Sequence, residues 1–183
     1  VAQEAKRGAK ILDVCTGSGC IAIALRRMVE DSEVWAIDIS REALAIARVN
    51  GAEYAPDVHF VESDALADFS ADFKGGEFDV ILSNPPYIPS SDRSLMRQNV
   101  TEHEPHIALF VEDSDPLIFY RSIARTGRKM LAEDGSLYFE IYESLAEEMR
   151  AMLEQEGYED IVVREDFRGK ARMICARVSS IVR

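Results

Sequence analysis

The sequence predicts an α/β fold built on one mainly parallel sheet. Short runs of apolar, strand-forming residues alternate with segments whose apolar residues recur at helical spacing. Several of these runs end in glycines or polar side chains, as parallel strands do where a ligand binds at their carboxyl ends. The predicted strands are residues 9–14, 34–37, 58–61, 78–83, 135–141, 161–163 and 173–178.

Composition limits the classes of protein to consider. At 183 residues, 47% of them hydrophobic, the chain has the size of one domain with a sizeable core. No charge-free apolar run is long enough to cross a membrane and no signal peptide opens the sequence, so we expect a cytoplasmic protein. The 33 acidic and 21 basic residues give a net charge of −12, which disfavours direct binding of nucleic acid.

The cysteines and histidines predict neither a disulfide framework nor a metal centre. The cysteines are odd in number and lack CxxC spacing, so we interpret them as small core residues. They are Cys15, Cys20 and Cys175. The three histidines lack the spacing of a helical ligand pair, and we expect them on the surface or in loops. They are His59, His103 and His106.

The predicted helices have recognisable start and stop signals. Ser40 is a candidate N-cap of the second helix, and Gly51 with the asparagine before it is expected to end that helix. Asp115, which precedes a proline, is expected to cap the third helix. Ser144 and Glu147 have the spacing of a capping box for the fourth. The predicted buried face of the first helix consists of Ile21, Leu25, Met28 and Val29.

A glycine-rich turn follows the first predicted strand, and a carboxylate, Asp38, follows the second. The glycines allow a ligand to approach the backbone, and the start of the next helix presents free N–H groups. Asp38 stands where dinucleotide-binding folds hold ribose hydroxyls, so this pattern alone is compatible with NAD. Asp13 and Thr16, in the arrangement D-x-x-T-G-S-G, favour the sulfonium amino acid of S-adenosylmethionine over a pyrophosphate.

The fourth predicted strand ends in Asn84-Pro85-Pro86-Tyr87. The two prolines remove two backbone donors and fix two φ angles, which makes a stiff corner with unpaired carbonyls. A rigid loop that ends a buried strand is the simplest interpretation. Beside a methyl donor, the Asn84 side-chain oxygen and the Pro85 carbonyl would instead accept both N–H hydrogens of an amide, with Tyr87 packed on the amide plane. Residues 88–115 then form a connection long enough to be a lid or a substrate-binding loop.

Taken together, these motifs resemble the HemK/PrmC family of class I methyltransferases, which modify the glutamine of the Gly-Gly-Gln loop in peptide-chain release factors. The similarity extends in order over nearly the whole chain. Its most specific stretches are residues 11–25 (ILDVCTGSGCIAIAL), 84–88 (NPPYI), Glu104-Pro105 with Ala108-Leu109, and 166–172 (DFRGKAR).

The resemblance implies a Rossmann-like, seven-stranded, mostly parallel sheet with an antiparallel last strand. It also implies S-adenosyl-L-methionine as cofactor, S-adenosyl-L-homocysteine as product and release factors as partners, with no metal. The residues expected to hold the acceptor glutamine are Asn84, Pro85, Pro86 and Tyr87. The residues expected to contact the cofactor are Cys15, Thr16, Gly17, Ser18 and Gly19 at its methionine part, Asp38 at its ribose, Asp64 and Ala65 beside its adenine, and also Ile39 and Asn84.

The sequence departs from the family pattern in several places. Cys15 replaces a glycine, so a strained or shifted turn is expected, and Ala65 replaces a residue that is often larger. Residues 111–115 are less rich in glycine than in the family. We expect residues 1–183 to be a monomeric catalytic domain without the family's helical N-terminal domain, which docks the substrate.

Other interpretations remain open. The Asn-Pro-Pro-Tyr corner also occurs in methyltransferases that modify exocyclic amines of nucleic acids, although the acidic composition argues against such a substrate. A sibling enzyme that modifies a glutamine of a ribosomal protein has the same corner. An NAD-dependent dehydrogenase and an inactive cofactor-binding scaffold are the remaining alternatives.

Overall fold

The computed structural model describes residues 1–73, 77–86, 88–89, 110–111 and 114–178. The strands are β1 (Lys10–Val14), β2 (Glu33–Asp38), β3 (His59–Glu62), β4 (Phe78–Ser83), β5 (Ile88–Pro89), β6 (Phe110–Val111), β7 (Leu131–Glu140), β8 (Tyr158–Glu165) and β9 (Ala171–Val178). The helices are α1 (Cys20–Met28), α2 (Arg41–Tyr54), α3 (Ile118–Met130) and α4 (Ala146–Gln155), with 3₁₀ turns at Phe69–Asp72 and Glu143–Leu145. Tyr87, the Glu104-Pro105 and Ala108-Leu109 elements, His103, His106 and most of the predicted lid lie outside the described residues.

Seven of these strands form one sheet in the order β3-β2-β1-β4-β7-β9-β8. The strands from β3 to β7 are parallel to their neighbours, whereas β9 is antiparallel to both β7 and β8. This topology confirms the predicted seven-stranded sheet with an antiparallel last strand. The chain leaves β1 towards β2 on one side and leaves β4 towards β7 on the other. The carboxyl ends of β1 and β4 therefore flank the topological switch point, where open α/β sheets bind ligands.

The central strands are buried on both faces of the sheet. On one face α1 packs over β1 and β2, and Ile23 of α1 belongs to the same apolar cluster as Ile11 of β1 and Val80 of β4. On the other face α3 and α4 cover the sheet in a larger cluster that includes Tyr120 and Leu137. Burial on both faces explains why the central strands are continuous apolar runs without an alternating pattern.

Helix α2 confirms one predicted boundary and corrects the other. Ser40 caps the helix, because its hydroxyl oxygen accepts a hydrogen bond from the Ala43 N–H at 3.1 Å. The helix does not stop at Gly51 but continues to Tyr54. Gly51 is a packing position, since a Cβ atom there would lie 2.7 Å from Cε2 of Phe60.

The predicted caps of the next two helices are wrong. α3 begins at Ile118 without a side-chain cap, and the carboxylate of Asp115 pairs with Arg121 at 2.8 Å instead. Ser144 lies within a 3₁₀ turn, and α4 begins at Ala146 without a side-chain cap. Asp115 thus forms an ion pair with a residue of α3, and Ser144 is part of the 3₁₀ turn that precedes α4.

Some predicted burial is also corrected. Leu25 in α1 and Val29 directly after it are buried as predicted, but Ile21 and Met28 are 37% and 67% exposed. Cys20 is exposed, so the prediction that it belongs to the core is wrong. No helix of the described residues is long and apolar enough to span a membrane.

Candidate active site

The residues predicted to form the site follow four strands that are neighbours in the sheet. The turn of residues 15–19 follows β1, Asp38 and Ile39 end or follow β2, Asp64 and Ala65 follow β3, and Asn84 follows β4. Val14 at the end of β1 is in register with Ile37 on one side and Ser83 on the other. Because neighbouring strands lie about 4.8 Å apart, these groups share one edge at the switch point.

The turn after β1 has left-handed backbone at three positions. The φ angles are 61° at Cys15, 57° at Gly17 and 82° at Gly19. Cys15 thus adopts a conformation that is unfavourable for a residue with a Cβ atom, which agrees with the expectation of strain where the family has glycine. The turn is attached to β2, because the Thr16 N–H donates to the Ile37 carbonyl at 3.0 Å.

The backbone of this turn is accessible at Gly17. A Cβ atom built there would meet nothing within 4 Å, so a ligand has room to approach the peptide groups. Gly19 is different, because a Cβ atom there would lie 3.1 Å from both Ala47 and the Phe60 ring. The same ring lies against Gly51, so the two glycines together make room for Phe60.

Asp38 links the turn to the start of α2. Its Oδ2 accepts a hydrogen bond from the Gly17 N–H at 2.8 Å, and its Oδ1 accepts one from the Ser40 N–H at 2.9 Å. Each carboxylate oxygen has a second lone pair that remains able to accept from a ligand hydroxyl. The side chain is only half-buried. Asp38 therefore fits the predicted ribose-binding role and supports the turn as well.

Asp13, which the D-x-x-T-G-S-G arrangement places beside the glycine turn, is a second carboxylate of the site. It is 1% exposed, and its Oδ2 accepts a hydrogen bond from the Thr16 hydroxyl at 2.6 Å. Its Oδ1 makes no hydrogen bond of normal geometry within the described residues. Burial raises the pKa of this carboxyl to about 7, and the Thr16 hydroxyl and the Ala22 amide oppose the shift only in part. The signal in the sequence was a carboxylate inside an otherwise apolar strand.

Asn50 is a residue of the site that sequence reasoning missed. Its side-chain amide donates to the Ser18 carbonyl at 3.0 Å and so attaches α2 to the turn. The sequence pattern identifies this residue, together with Gly51, only as a helix stop signal. Nothing in the local pattern indicates that the asparagine contacts a loop 32 positions earlier.

The loop after β3 forms the outer end of the site. The Asp64 Oδ1 accepts a hydrogen bond from the Leu66 N–H at 2.8 Å, and the carbonyl of the buried Ala65 accepts one from the Ser122 hydroxyl at 2.7 Å. Ile39, next to Asp38, is 54% exposed and offers an apolar surface to a planar ring. This end suits an adenine base.

A hydrogen bond joins the last residue of β4, directly before the Asn84 corner, to β1. The Ser83 hydroxyl donates to the Val14 carbonyl at 2.6 Å, which joins the two strands at the switch point. Pro85 and Pro86 are buried, whereas Asn84 is exposed. The prolines thus anchor the corner in the protein and leave the amide accessible to a ligand. Tyr87, the fourth predicted acceptor residue, lies outside the described residues.

The thiol of Cys15 is buried next to the site, close to Asp38 and Ser83. Burial raises its pKa to about 12, and the negative charge of Asp38 acts in the same direction. The thiol therefore stays protonated at neutral pH and is not a nucleophile. Among the described residues, no group of histidine, cysteine and carboxylate side chains is arranged to hold a metal ion.

The sheet order and the position of the site define the fold of class I S-adenosylmethionine-dependent methyltransferases. The ribosomal protein L11 methylase of Lactobacillus delbrueckii subsp. bulgaricus shares it with a TM-score of 0.67 at 20% identity, over 97% of this chain and 74% of that one. A predicted O-methyltransferase of Agrobacterium tumefaciens shares it with a TM-score of 0.68 at 18% identity, over 98% and 78%. Identities this low establish a common fold only.

Residues 2–106 match the family described as methyltransferase small domain, and the chain belongs to that family. The release factor glutamine methyltransferase of Bacteroides thetaiotaomicron is 47% identical over 168 residues, which are 91% of this chain and 59% of that protein. The protein of the same name from Flavobacterium psychrophilum is 42% identical over 165 residues, 90% of this chain and 57% of that protein. These relatives confirm the resemblance seen in the motifs, and the chain spans about three fifths of their length.

Proposed function

We propose that the chain transfers a methyl group from S-adenosyl-L-methionine to the side-chain amide nitrogen of the glutamine in the Gly-Gly-Gln motif of a peptide-chain release factor. The observation that carries the proposal is the Asn84-Pro85-Pro86 corner at the switch point, on the strand next to the glycine turn. The identity to proteins named for this reaction supports it. Translation terminates in the cytoplasm, which is the proposed site of action.

The described residues fit the cofactor. The peptide groups of residues 15–19 would hold its methionine part, with the accessible backbone at Gly17 and the start of α1 facing its carboxylate. The carboxylate of Asp38 would accept hydrogen bonds from the ribose, and Ile39, Asp64 and Ala65 would border the adenine. When bound, the cofactor supplies an electrophilic methyl group on a sulfonium sulfur.

The proposed role of the Asn84 corner is to make the amide nitrogen of the acceptor glutamine reactive. An amide nitrogen is a poor nucleophile because its lone pair is delocalised into the carbonyl, on the scale of the ~18–20 kcal/mol rotation barrier of a peptide bond. The Asn84 side-chain oxygen and the Pro85 carbonyl would each accept one N–H hydrogen of the glutamine. This would hold the amide with its lone pair directed at the methyl group, with Tyr87 packed on the amide plane.

Two physical effects follow from this arrangement. Fixing the nitrogen in line with the methyl group contributes up to roughly 7–11 kcal/mol by proximity and orientation. The two acceptor oxygens also stabilise the positive charge that develops on nitrogen. Asn84 is neutral, so no strong base takes part, and the proton leaves to water after transfer.

Mass spectrometry tests the proposal. The chain is incubated with S-adenosylmethionine and an intact release factor, and peptides are searched for one added methyl group on the Gly-Gly-Gln glutamine. Ribosomal proteins and nucleic acids, incubated in parallel, represent the two competing acceptor classes. Methylation of either class in place of the release factor would overturn the proposed substrate.

A further inference from the structure

The motif at residues 166–172 comprises the turn between β8 and β9 and the first two residues of β9, and Asp166 organises the turn. The Asp166 Oδ1 accepts hydrogen bonds from the Arg168 N–H at 2.8 Å and the Lys170 N–H at 3.1 Å. The backbone N–H of Asp166 donates to the Lys170 carbonyl at 2.8 Å, and Gly169, with a φ of 74°, donates to the Asp166 carbonyl at 3.0 Å. The Asp-x-x-Gly spacing thus builds a turn of defined shape.

Ion pairs fix this turn to the rest of the sheet. The Arg172 guanidinium lies 3.3 Å from the Asp166 carboxylate, and the Lys170 ammonium lies 2.8 Å from Glu143 in the segment after β7. Both pairs are partly exposed, so their contribution to stability is modest. Their geometric effect is to hold the turn in one orientation relative to β7.

This ordered turn presents an aromatic side chain to solvent. Phe167 is 94% exposed, and the Arg168 guanidinium carbon lies 5.4 Å from the centre of its ring. Within the described residues Arg168 forms no ion pair. A single exposed apolar residue is common, but here it is combined with a cation and held on a preorganised turn of a chain whose net charge is −12.

The turn lies on the same edge of the sheet as the Asn84 corner. Met173 near the start of β9 is in register with Glu140 at the end of β7, and β7 is in turn the neighbour of β4 through Phe139 and Ser83. At about 4.8 Å per strand, the base of the turn lies two strands, or roughly 10 Å, from the corner. The turn is therefore within reach of a folded protein whose glutamine occupies the corner.

We propose that Phe167 and Arg168 form a docking contact for the protein that presents the acceptor amide, an inference that rests on the proposed function. The matching surface on the partner is an apolar depression that takes the phenyl ring, with a carboxylate beside it for the guanidinium. Aromatic and arginine side chains are the commonest anchors of protein interfaces. A turn that is already ordered also loses little conformational entropy on binding. The contact lies outside the corner, so it contributes to binding of the substrate and not to the chemical step.

The test compares Phe167→Ala with the wild-type chain on two acceptors. With an intact release factor, Phe167→Ala should raise KM about tenfold and leave kcat unchanged, the size of effect typical of an interface anchor. With a blocked Gly-Gly-Gln tripeptide both constants should be unchanged, because the tripeptide has neither an apolar depression for the Phe167 ring nor a carboxylate for the Arg168 guanidinium. The Kd of S-adenosylhomocysteine should also be unchanged.

The chain provides a matched control at the opposite edge of the sheet. Tyr54, at the end of α2, is 52% exposed, and the Arg27 guanidinium carbon lies 5.9 Å from the centre of its ring. Tyr54→Ala should change neither kinetic constant. Arg168→Glu should raise KM for the release factor more than Arg168→Ala does, because the partner group is a carboxylate.

The outcomes distinguish a failure of the docking contact from a failure of the proposed function. Equal KM values for the wild-type chain and Phe167→Ala on the release factor would overturn the docking contact and leave the proposed function intact. No methylation by the wild-type chain would instead count against the proposed function, before any variant is made. If the tripeptide is not turned over, the Kd values of the release factor and of S-adenosylhomocysteine make the same distinction.

Discussion

The Oδ2 atom of Asp38 accepts a hydrogen bond from the Gly17 N–H at 2.8 Å, which joins the end of β2 to the turn after β1. The carboxylate thus holds the turn in place at the position from which it would bind a ribose. One side chain would therefore both support the turn and take part in the proposed binding of the cofactor.

Asp38→Ala should weaken binding of S-adenosylhomocysteine by roughly 10- to 100-fold. Hydrogen bonds to a charged group each contribute about 1.5–3 kcal/mol, and the variant loses those to the ribose together with the one that orders the turn. Isothermal titration calorimetry measures the change. Asp57→Ala, which removes a surface carboxylate paired with Arg26, is the control and should bind normally. An unchanged Kd for Asp38→Ala would refute the ribose assignment.

Asn84→Ala should lower kcat by at least roughly 10²–10³-fold, the loss seen when one preorganised group that stabilises a transition state is removed. The Kd of S-adenosylhomocysteine should change little, because the side chain is exposed and acts on the acceptor. Methylation of the release factor and calorimetry with the cofactor product measure the two effects. If cofactor binding were lost as well, the assigned role of Asn84 would be wrong.

Cys15→Gly should be more stable than Cys15→Ala by about 0.5–1 kcal/mol. Both variants remove the thiol, but only glycine relieves the left-handed backbone, and its greater freedom in the unfolded chain offsets part of the gain. Urea unfolding gives the two free energies. Ala36→Gly is the control. Ala36 lies in the buried strand β2, where the backbone is regular, so this exchange of alanine for glycine should destabilise the protein. A less stable Cys15→Gly would show that φ at this position carries little strain.

Asp13→Asn should gain stability relative to the wild type as the pH rises. The pKa of Asp13 is raised to about 7 by burial, so between about pH 4 and pH 7 the folded protein keeps a proton that the unfolded chain has lost. The unfolding free energy of the wild type therefore falls as pH rises through this window. The asparagine variant lacks this contribution and keeps an oxygen that can accept from Thr16.

Unfolding in urea at pH 5 and pH 8 measures this effect. Between pH 5 and pH 8, the unfolding free energy of Asp13→Asn should rise relative to that of the wild type by about 2–3 kcal/mol. Asp134→Asn changes an exposed carboxyl and serves as the control for the general pH dependence. A difference that is the same at both pH values would contradict a raised pKa for Asp13.

Gly51→Ala should destabilise the protein by about 1–3 kcal/mol, although alanine is the better helix former by about 1 kcal/mol. The added Cβ atom would lie 2.7 Å from Phe60, whose ring is held on its other side by Gly19. Thermal or urea unfolding tests this, and Phe60→Leu should reduce the cost by making room. A gain in stability would mean that the ring moves away freely.

The sequence alone was sufficient to predict the seven strands of the main sheet, their order along the chain and the polar groups that follow them, but not the short strands β5 and β6. Apolar runs, helical spacing and turn residues are local signals, and parallel strands place their carboxyl ends on one edge whatever the details of packing. The cap at Ser40 was equally predictable, because it depends only on a residue and the N–H three positions later. The caps predicted at Asp115 and Ser144 are wrong because α3 begins three residues after Asp115 and because Ser144 lies within the 3₁₀ turn that precedes α4.

The motifs therefore determined the fold and the main groups of the proposed site, from the turn at residues 15–19 to Asn84. Only the tertiary structure revealed how these groups are held. Asn50 reaches the Ser18 carbonyl, and Gly51 makes room for Phe60, through contacts between residues distant in the sequence. The raised pKa of Asp13 likewise depends on burial by elements on both faces of β1. Such properties arise only when the chain is packed, so no local pattern encodes them.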